Sequence, residues 1–547
     1  MNRTHFLTPE GERRRPALLI IMDGWGMSLG GAGDAIAQAN TPNFDRLWLD
    51  YAHTELLTHG HAVGLPSQKD MGGSEVGHLT MGAGQVLDQG PTRINRAFED
   101  GSFYDSPALQ QVMQATASGG TLHLFGLLSD GNIHSHLSHF RNVIDHAFSQ
   151  QVKRLRVHAL LDGRDVGIQS AQKYIAELEE SFLFINSHDG FDYAFASGGG
   201  REVITMDRDH NWPKVAAGWR LMVHGDSPHH FRTMLDAVNH FRSENPELVD
   251  QDMPGFVMVD ADDRPVGTIE DGDAVVMMNF RGDRAIEITE AFELDDFDGF
   301  DRGRRPAVTY AGMMVYDEDR DLPRLQLMGP TKVPRPFGRR ILELGMRQFR
   351  LTETQKYPHV TFFFNGGYRQ PLDATMEDYI LIDSDQNVSF ADAPQMKSKE
   401  IADKAIELIE SGRYDFGLIN FANADMVGHC GNIAAAIEAI EAVDCAVGRI
   451  VDALQAAGGL ALITADHGNA EEMLAAKGDG EFEPSTKHST NPVPCILFDP
   501  AYNGSYQLRQ PTEQEKPGLS NLAATLFEMM GMEAPDDLDR SLIEPAA

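Results

Sequence analysis

Cysteine is nearly absent, with three in 547 residues: Cys430, Cys445 and Cys495. That excludes a disulfide framework and points to a reducing cytoplasm. Basic residues are in deficit, 46 Lys and Arg against 82 Asp and Glu, for a net charge of −36. So acidic a surface excludes nucleic acid and an anionic membrane as partners. No apolar run approaches the length that crosses a bilayer. Arg13-Arg14-Arg15 before Leu18-Leu19-Ile20-Ile21-Met22 imitates a signal peptide, but the run breaks at Asp23-Gly24-Trp25-Gly26 and offers no small-residue cleavage site. It reads instead as a buried first strand behind a short disordered tail. No internal repeat or low-complexity linker divides the chain. What remains is a length suited to two or three domains, with 42% hydrophobic residues to fill their cores.

The stretch Lys69–Gly84 holds one serine, Ser74, among five glycines. Such a density of glycine suits backbone that must approach a phosphate or a metal closely. A Gly-Ser-Glu-Val-Gly-His run at a turn into a helix exposes the hydroxyl as a nucleophile, provided something activates it. The bland alternative is a glycine-rich turn with a capping serine.

A continuous apolar run predicts a central buried parallel strand at 17–23, and further strands are predicted at 121–128, 154–161, 191–197, 273–280, 360–364, 415–422, 459–465 and, last, 493–498. Thr41-Pro42 predicts a helix start with Thr41 as its cap. Further helices are predicted at 136–150, 168–182, 398–411 and 433–457. The alternation is that of an α/β fold, in which polar groups at the carboxyl ends of strands build the site. Those ends deliver His134, Arg164 with Asp165, Arg201, Arg208, Arg281 and Arg284. A lone loop arginine is usually a solvated charge, but five at strand ends suit a ligand with at least two anionic groups. Pro323, Pro330, Pro334 and Pro336 mark a domain boundary within 322–340.

Strand ends also deliver Asp23, Asp425 with His429, and Asp466 with His467, while His488 precedes the last predicted strand. Singly, each reads as a cap or a satisfied polar residue. Together, mixed carboxylate and imidazole ligands suit Mn²⁺, Zn²⁺ or Fe better than Ca²⁺. Three Asp and three His fit two divalent ions, a recurrent arrangement for phosphoryl transfer. One ion would activate Ser74 and the other would hold phosphate oxygens.

Eight motifs stand in an order that resembles the cofactor-independent (2,3-bisphosphoglycerate-independent) phosphoglycerate mutases over about residues 16–535. They are Ile21-Met-Asp-Gly-Trp-Gly26, Met71-Gly-Gly-Ser-Glu-Val-Gly-His78, Leu161-Asp-Gly-Arg-Asp-Val166, Met206-Asp-Arg-Asp209, Asn279-Phe-Arg-Gly-Asp-Arg284, Glu353-Thr-Gln-Lys-Tyr357, Ala465-Asp-His-Gly-Asn469 and Lys487-His-Ser-Thr-Asn-Pro-Val-Pro494. The resemblance implies an alkaline-phosphatase-like three-layer α/β domain formed by residues 1–87 and 332–547. It further implies an inserted α/β transferase domain at 88–331, with the site in a cleft between the two. It assigns one Mn²⁺ to Asp23, Ser74, Asp466 and His467 and the other to Asp425, His429 and His488, with other divalent ions as substitutes. It assigns substrate binding to His134, Arg164, Asp165, Arg201, Arg208, Arg281, Arg284 and Lys356. Gly73 departs from the family's usual Asn, and the separation of Arg201 from Arg208 is one residue longer than usual, which a bulge in 202–206 would absorb.

The implied reaction interconverts 3-phosphoglycerate and 2-phosphoglycerate. Ser74 takes the phosphoryl group, Lys356 offsets charge on the bridging and leaving oxygens, and Asp165 shuttles the proton while the glycerate turns. The chain is expected to act as a cytoplasmic monomer on a small molecule. Two rivals stand beside this reading: a phosphatase or phosphopentomutase on the same metal core, and a non-enzymatic metal-binding relative. The strand-end arginines oppose the first, and the intact Ser74 with its six Asp and His neighbours in function opposes the second.

Overall fold

Ala17–Met22 is buried at all six positions. A strand apolar on both faces must lie inside a sheet covered on both sides, and this one is the centre of a seven-stranded sheet. In a computed structural model, residues 6–546 are described apart from 8–10, 12, 29, 318–319, 330, 387, 477–481 and 513–514. Two compact units emerge, one made of residues 1–89 with 331–547 and the other of residues 90–330. Pro330, one of the boundary prolines, lies outside the described residues.

In the first unit the strand order is Glu377–Ile382, Gln348–Glu353, Phe416–Phe421, Ala17–Met22, Leu460–Thr464, Val493–Phe498, Ala52–Leu56. Val493–Phe498 runs against both neighbours, and the other pairings are parallel. Asp23, Asp425 and Asp466 therefore leave three adjacent strands at the same end of the sheet. The helices Ser398–Glu410 and Ile433–Ala457 pack their buried faces into the same core as these strands. The second unit has its own seven-stranded sheet, ordered His230–Phe231, Phe256–Met258, Asp192–Gly200, Arg154–Leu161, Leu122–Leu128, Ala274–Met277, Thr309–Gly312. Its five central and right-hand strands are parallel, and Phe256–Met258 runs antiparallel to Asp192–Gly200.

Several sequence expectations need correction. The apolar run 360–364 is a π-helical turn, His359–Phe363, and the strand lies earlier, at Gln348–Glu353. A short apolar run fits a buried helix as well as a strand. The true strand was disguised by Arg350, which is fully buried, stacks on Phe364 and Phe416, and donates to Gln348 and Glu377. The predicted helix 168–182 is Ala171–Asn186. Two short strands, Tyr506–Leu508 and Ile543–Pro545, follow the one expected to be last. Thr41 occupies the cap position of Pro42–Asp50, but its side chain makes no capping hydrogen bond. The tail, where described, is anchored rather than disordered: Phe6 is buried against Tyr506, and Arg14 bonds Gly458 O and the Asp499 carboxylate.

Candidate active site

Ser74 opens the helix Ser74–Ala83, with Gly73 at the cap position in extended conformation. Its side chain is thus held at a helix N-terminus, whose free N–H groups favour an anion. The Ser74 hydroxyl lies 3.2 and 3.4 Å from the two Asp23 oxygens, 3.0 Å from His467 Nε2 and 2.7 Å from Lys356 Nζ. Lys356 Nζ also donates to Asp23 Oδ1 and Asp425 Oδ2, each at 2.7 Å. The carboxylates decide its protonation. Burial alone would lower the ammonium, but Asp23 and Asp425 outweigh it and hold Lys356 above its ordinary value. Asp425 is held well below its usual range: burial pushes it up, but Lys356 and the imidazoles beside it prevail. Asp23 is pushed well above its usual range by burial and by Asp466 nearby.

Imidazole tautomers settle what the histidines present. His429 Nδ1 faces Thr486 O at 2.7 Å, and His488 Nδ1 faces Gly72 O at 2.8 Å. A carbonyl only accepts, so both Nδ1 atoms carry hydrogen, and Nε2 is the nitrogen each ring has left for a ligand. Those two Nε2 atoms are 3.1 Å apart and lie 3.1 and 3.2 Å from Asp425 Oδ1. Three acceptors facing one another at such range are stable only around a proton or a cation. Consistently, the Asp425 contact raises the His429 pKa. His467 is oriented in the same way: Nδ1 faces Gly468 O at 3.3 Å, and Nε2 faces Ser74, with Asp23 at 3.5 Å and Asp466 at 3.7 Å. Burial lowers His467 to about 4, so its ring is neutral at physiological pH. Asp466 Oδ2 is buried with no hydrogen-bond partner. Ligand atoms of Asp425, His429 and His488 lie within 4.8 Å of one another, and so do those of Asp23, Asp425 and His467. The lone pairs, the orphaned carboxylate oxygen and the mixed N/O donor set fit divalent metal ions.

Asp23, His78 and Asp466 also cluster. His78, however, donates Nδ1–H to Ser74 O at 2.8 Å and faces the Asn420 amide at 3.2 Å with Nε2, so both nitrogens are engaged. Asn420 in turn donates to Asp23 Oδ2 at 2.8 Å. These two residues orient Ser74 and Asp23, and neither was singled out from the sequence. A polar Asn inside the apolar strand Phe416–Phe421 was the available signal.

The arginines and His134 gather in the second unit, each held by a carboxylate. Arg201 is buried and its Nη1 bridges Asp162, at 2.9 Å, and Asp165. Glu202 lies 3.3 Å from Arg164 and 3.7 Å from Arg284. Asp283 lies 3.1 Å from Arg281, 3.7 Å from Arg208 and 3.6 Å from His134. Arg164, Arg208 and Arg281 keep 55%, 51% and 53% of their side chains exposed, free to meet an anion. Burial, helped by Arg201, lowers His134 to about 4 and leaves it neutral. The segment between Arg201 and Arg208 contains tight turns: Thr205 has a left-handed φ of 67°, and Asp207 N donates to Thr205 O. The pairing carboxylates Asp162, Glu202 and Asp283 were not singled out from the sequence as partners, because their role exists only once the strand ends converge.

A model of the metalloenzyme superfamily matches residues 15–534. A 2,3-bisphosphoglycerate-independent phosphoglycerate mutase of Trypanosoma brucei brucei is 43% identical over 544 residues, covering 97% of this chain and 98% of that protein. A probable enzyme of the same name from Leptospira interrogans is 42% identical with the same coverage. The crystal structure of Leishmania mexicana phosphoglycerate mutase at low cobalt concentration matches with a TM-score of 0.66 and 41% identity, covering 99% of this chain and 100% of that one.

Proposed function

Since the chain belongs to the metalloenzyme superfamily and, within it, to the 2,3-bisphosphoglycerate-independent phosphoglycerate mutases, we propose that it moves its phosphoryl group through Ser74. The chain is an isomerase that interconverts 3-phosphoglycerate and 2-phosphoglycerate. The observation that carries the proposed route is the position of the Ser74 hydroxyl, 2.7 Å from Lys356 Nζ and 3.0 Å from His467 Nε2.

Ser74 Oγ, reacting in its ionised form beside the Lys356 ammonium at 2.7 Å, forms a bond to phosphorus as the bond from phosphorus to the glycerate 3-oxygen breaks, and it is released in that same form in the second transfer. The helix N-terminus at Ser74 and the Lys356 ammonium offset charge on the oxygens around phosphorus. The glycerate 2-hydroxyl then attacks the phosphoserine, and the Ser74–phosphorus bond breaks. Asp165 carries the 2-hydroxyl proton to the 3-oxygen, so no proton is gained or lost over the cycle. Arg201, paired with Asp165, holds that carboxylate in place. Arg164, Arg208, Arg281, Arg284 and His134 grip the carboxylate and hydroxyl groups of the glycerate while it turns. No diffusible bisphosphate is required, because donor and acceptor are the same glycerate.

The residues fit two divalent ions, for which we propose Mn²⁺, one held by Asp23, Ser74, Asp466 and His467 and one by Asp425, His429 and His488. When bound, such ions act as Lewis acids toward the serine and phosphate oxygens. Among the described residues no helix is long and apolar enough to cross a membrane, and we read the enzyme as a cytoplasmic monomer.

The deciding experiment is a coupled assay with 3-phosphoglycerate and Mn²⁺ in the absence of bisphosphoglycerate, followed by acid quench and detection of phospho-Ser74. Formation of 2-phosphoglycerate with label on Ser74 is the expected result. Turnover that strictly needs added bisphosphoglycerate would overturn it.

A further inference from the structure

One buried carboxylate, used in no step above, joins the segments that carry the metal ligands. Glu471 is 3% exposed. Its Oε2 accepts from Gly26 N at 3.1 Å and from Asn469 N at 2.9 Å. Its Oε1 accepts from the Ser489 hydroxyl and from Asn491 Nδ2, the latter at 3.1 Å. Gly26 lies three residues after Asp23, Asn469 two after His467, and Ser489 directly after His488. Asn469 continues the chain of bonds by donating Nδ2 to Asp425 Oδ1 at 3.1 Å. Glu471 therefore reaches the segments of Asp23, Asp466–His467 and His488 directly, and Asp425 through one neighbour.

The local sequence is cut to admit this side chain. A Cβ on Gly26 would stand 2.2 Å from the Glu471 carboxyl carbon, and one on Gly468 would stand 2.3 Å from its Oε1. Neither distance is physical, so both positions must be glycine while Glu471 stays where it is. All four donors are neutral, so the buried anion is held by hydrogen bonds alone. Such a group is costly to bury, and a core packed for stability only would be served as well by an apolar side chain. What a carboxylate supplies and an apolar group does not is four directed bonds to three separate segments.

We propose that Glu471 is a positioning residue that sets the ligand segments in ligating register before metal arrives. The inference rests on the metal assignment made above. The chemistry separates the substitutions. In Glu471→Gln the amide oxygen can keep the two backbone N–H donors of Gly26 and Asn469, which cannot turn. The amide nitrogen then faces Ser489 and Asn491, whose hydroxyl and carboxamide can turn to accept. Glu471→Ala loses all four bonds.

The test titrates metal-free wild type, Glu471→Gln and Glu471→Ala with Co²⁺ alone, following heat and the ligand-field absorption of the bound ion. Thermal melts of the metal-free proteins run alongside. Loss of an outer-shell partner of a metal ligand typically costs about 10–100-fold in metal affinity. We expect Glu471→Ala to fall in that range with an altered Co²⁺ band, and Glu471→Gln to lose less. If Glu471→Ala does not fold, Glu471→Gln and Asn491→Ala carry the test, each binding Co²⁺ more weakly than wild type. Folded variants that bind Co²⁺ as tightly as wild type, with only a lowered melting midpoint, would reduce Glu471 to a stability role and overturn the proposal. Wild type that binds no Co²⁺ would instead remove the metal assignment itself, and this inference with it.

Discussion

The two units build their polar clusters in opposite ways. In the first, Asp23, Asp466 and His467 are wholly buried and Lys356 is 3% exposed. In the second, Arg164, Arg208 and Arg281 stay about half exposed, and only Arg201 and Arg284 are deeply set. Burial in the first unit forces neighbours to be paid for in charge: one lysine offsets two carboxylates, and the neutral His467 ring aims its Nε2 lone pair inward. Low dielectric makes such a cluster strong and intolerant of any missing partner. In the second unit the arginines rest against Glu202 and Asp283 in water, where such pairs are weak. A weak resting partner is readily exchanged for a substrate anion. On the proposed route, the fixed cluster makes and breaks bonds, and the exposed one holds the ligand while it turns.

Removing the nucleophile attacks the fixed side hardest. Ser74→Ala should lower isomerisation on the order of 10⁴-fold or more, since it removes the covalent route proposed above. Folding should survive, as the hydroxyl's neighbours Asp23, Lys356 and Asp425 still pair among themselves. The check is initial rate together with the thermal midpoint of the same sample, and activity within a few per cent of wild type would place the nucleophile elsewhere. Chelation should act on the same unit nearly as strongly. Exhaustive dialysis against chelator is expected to abolish turnover, and Mn²⁺ to restore it, while the second unit's arginines are untouched. Full activity with no metal detected by elemental analysis would break the contrast.

Protonation probes the second unit. His134 is lowered by burial from 6.5 to about 4. Above about 6.5 it is neutral in folded and unfolded chains alike, and its contribution to stability is fully present. Between 6.5 and about 4 the unfolded chain takes up a proton that the folded chain refuses, so stability falls as pH drops through that window and is lost below it. The shift corresponds to roughly 3 kcal/mol. His134→Gln should flatten the pH dependence of the thermal midpoint between these values. An unchanged slope would assign the acid lability to other buried histidines of the unit, such as His123 and His158, which burial also lowers.

Loss of a gripping arginine should separate the two jobs. Arg284→Ala removes a nearly buried cation and is expected to cost roughly 1.5–3 kcal/mol, or about ten- to a hundredfold in isomerisation. Transfer to Ser74 depends on the first unit, so phosphoserine should still form. A glycerate held less firmly leaves water time to attack it. Free phosphate and 2-phosphoglycerate measured in one reaction should then show hydrolysis rising relative to isomerisation. Equal depression of both would confine the arginine to initial binding.

How far the sequence revealed this contrast follows from the same physics. Central strands such as Ala17–Met22 were legible because burial on both faces leaves an unbroken apolar run, and Leu122–Leu128 remained legible with His123 as its one titratable member. Strand-end residues were legible because an Asp or Arg that closes such a run stands out. Gln348–Glu353 was not legible, since Arg350 interrupts it and finds its partners only in the folded core. The orienting groups were the least visible. Glu471 meets Gly26 across 445 residues of chain, and Asn420 meets His78 across 342. No local pattern encodes such a meeting.

The smallest effect is expected at Gly73. It stands directly before Ser74, and a glycine there invites the idea that a side chain is forbidden. The geometry argues otherwise. Its φ is −162°, extended backbone that any residue adopts. A Cβ would meet only the His488 ring, at 3.6 Å, which is ordinary van der Waals contact. No strain term therefore opposes Gly73→Asn, and the less flexible unfolded chain favours it slightly, by at most about 1 kcal/mol. Asn is also among the best residues at a helix cap position, where its oxygen can accept from the first free N–H groups. We expect a thermal midpoint equal to or a few degrees above wild type, and isomerase activity changed by less than about tenfold, which corresponds to under about 1.4 kcal/mol. The measurement is the melting midpoint beside kcat and KM at saturating Mn²⁺. A collapse in kcat with folding intact would mean that the new amide reaches His488 and competes for its Nε2, and that the first unit, fixed as it is, tolerates no added polar group beside the nucleophile.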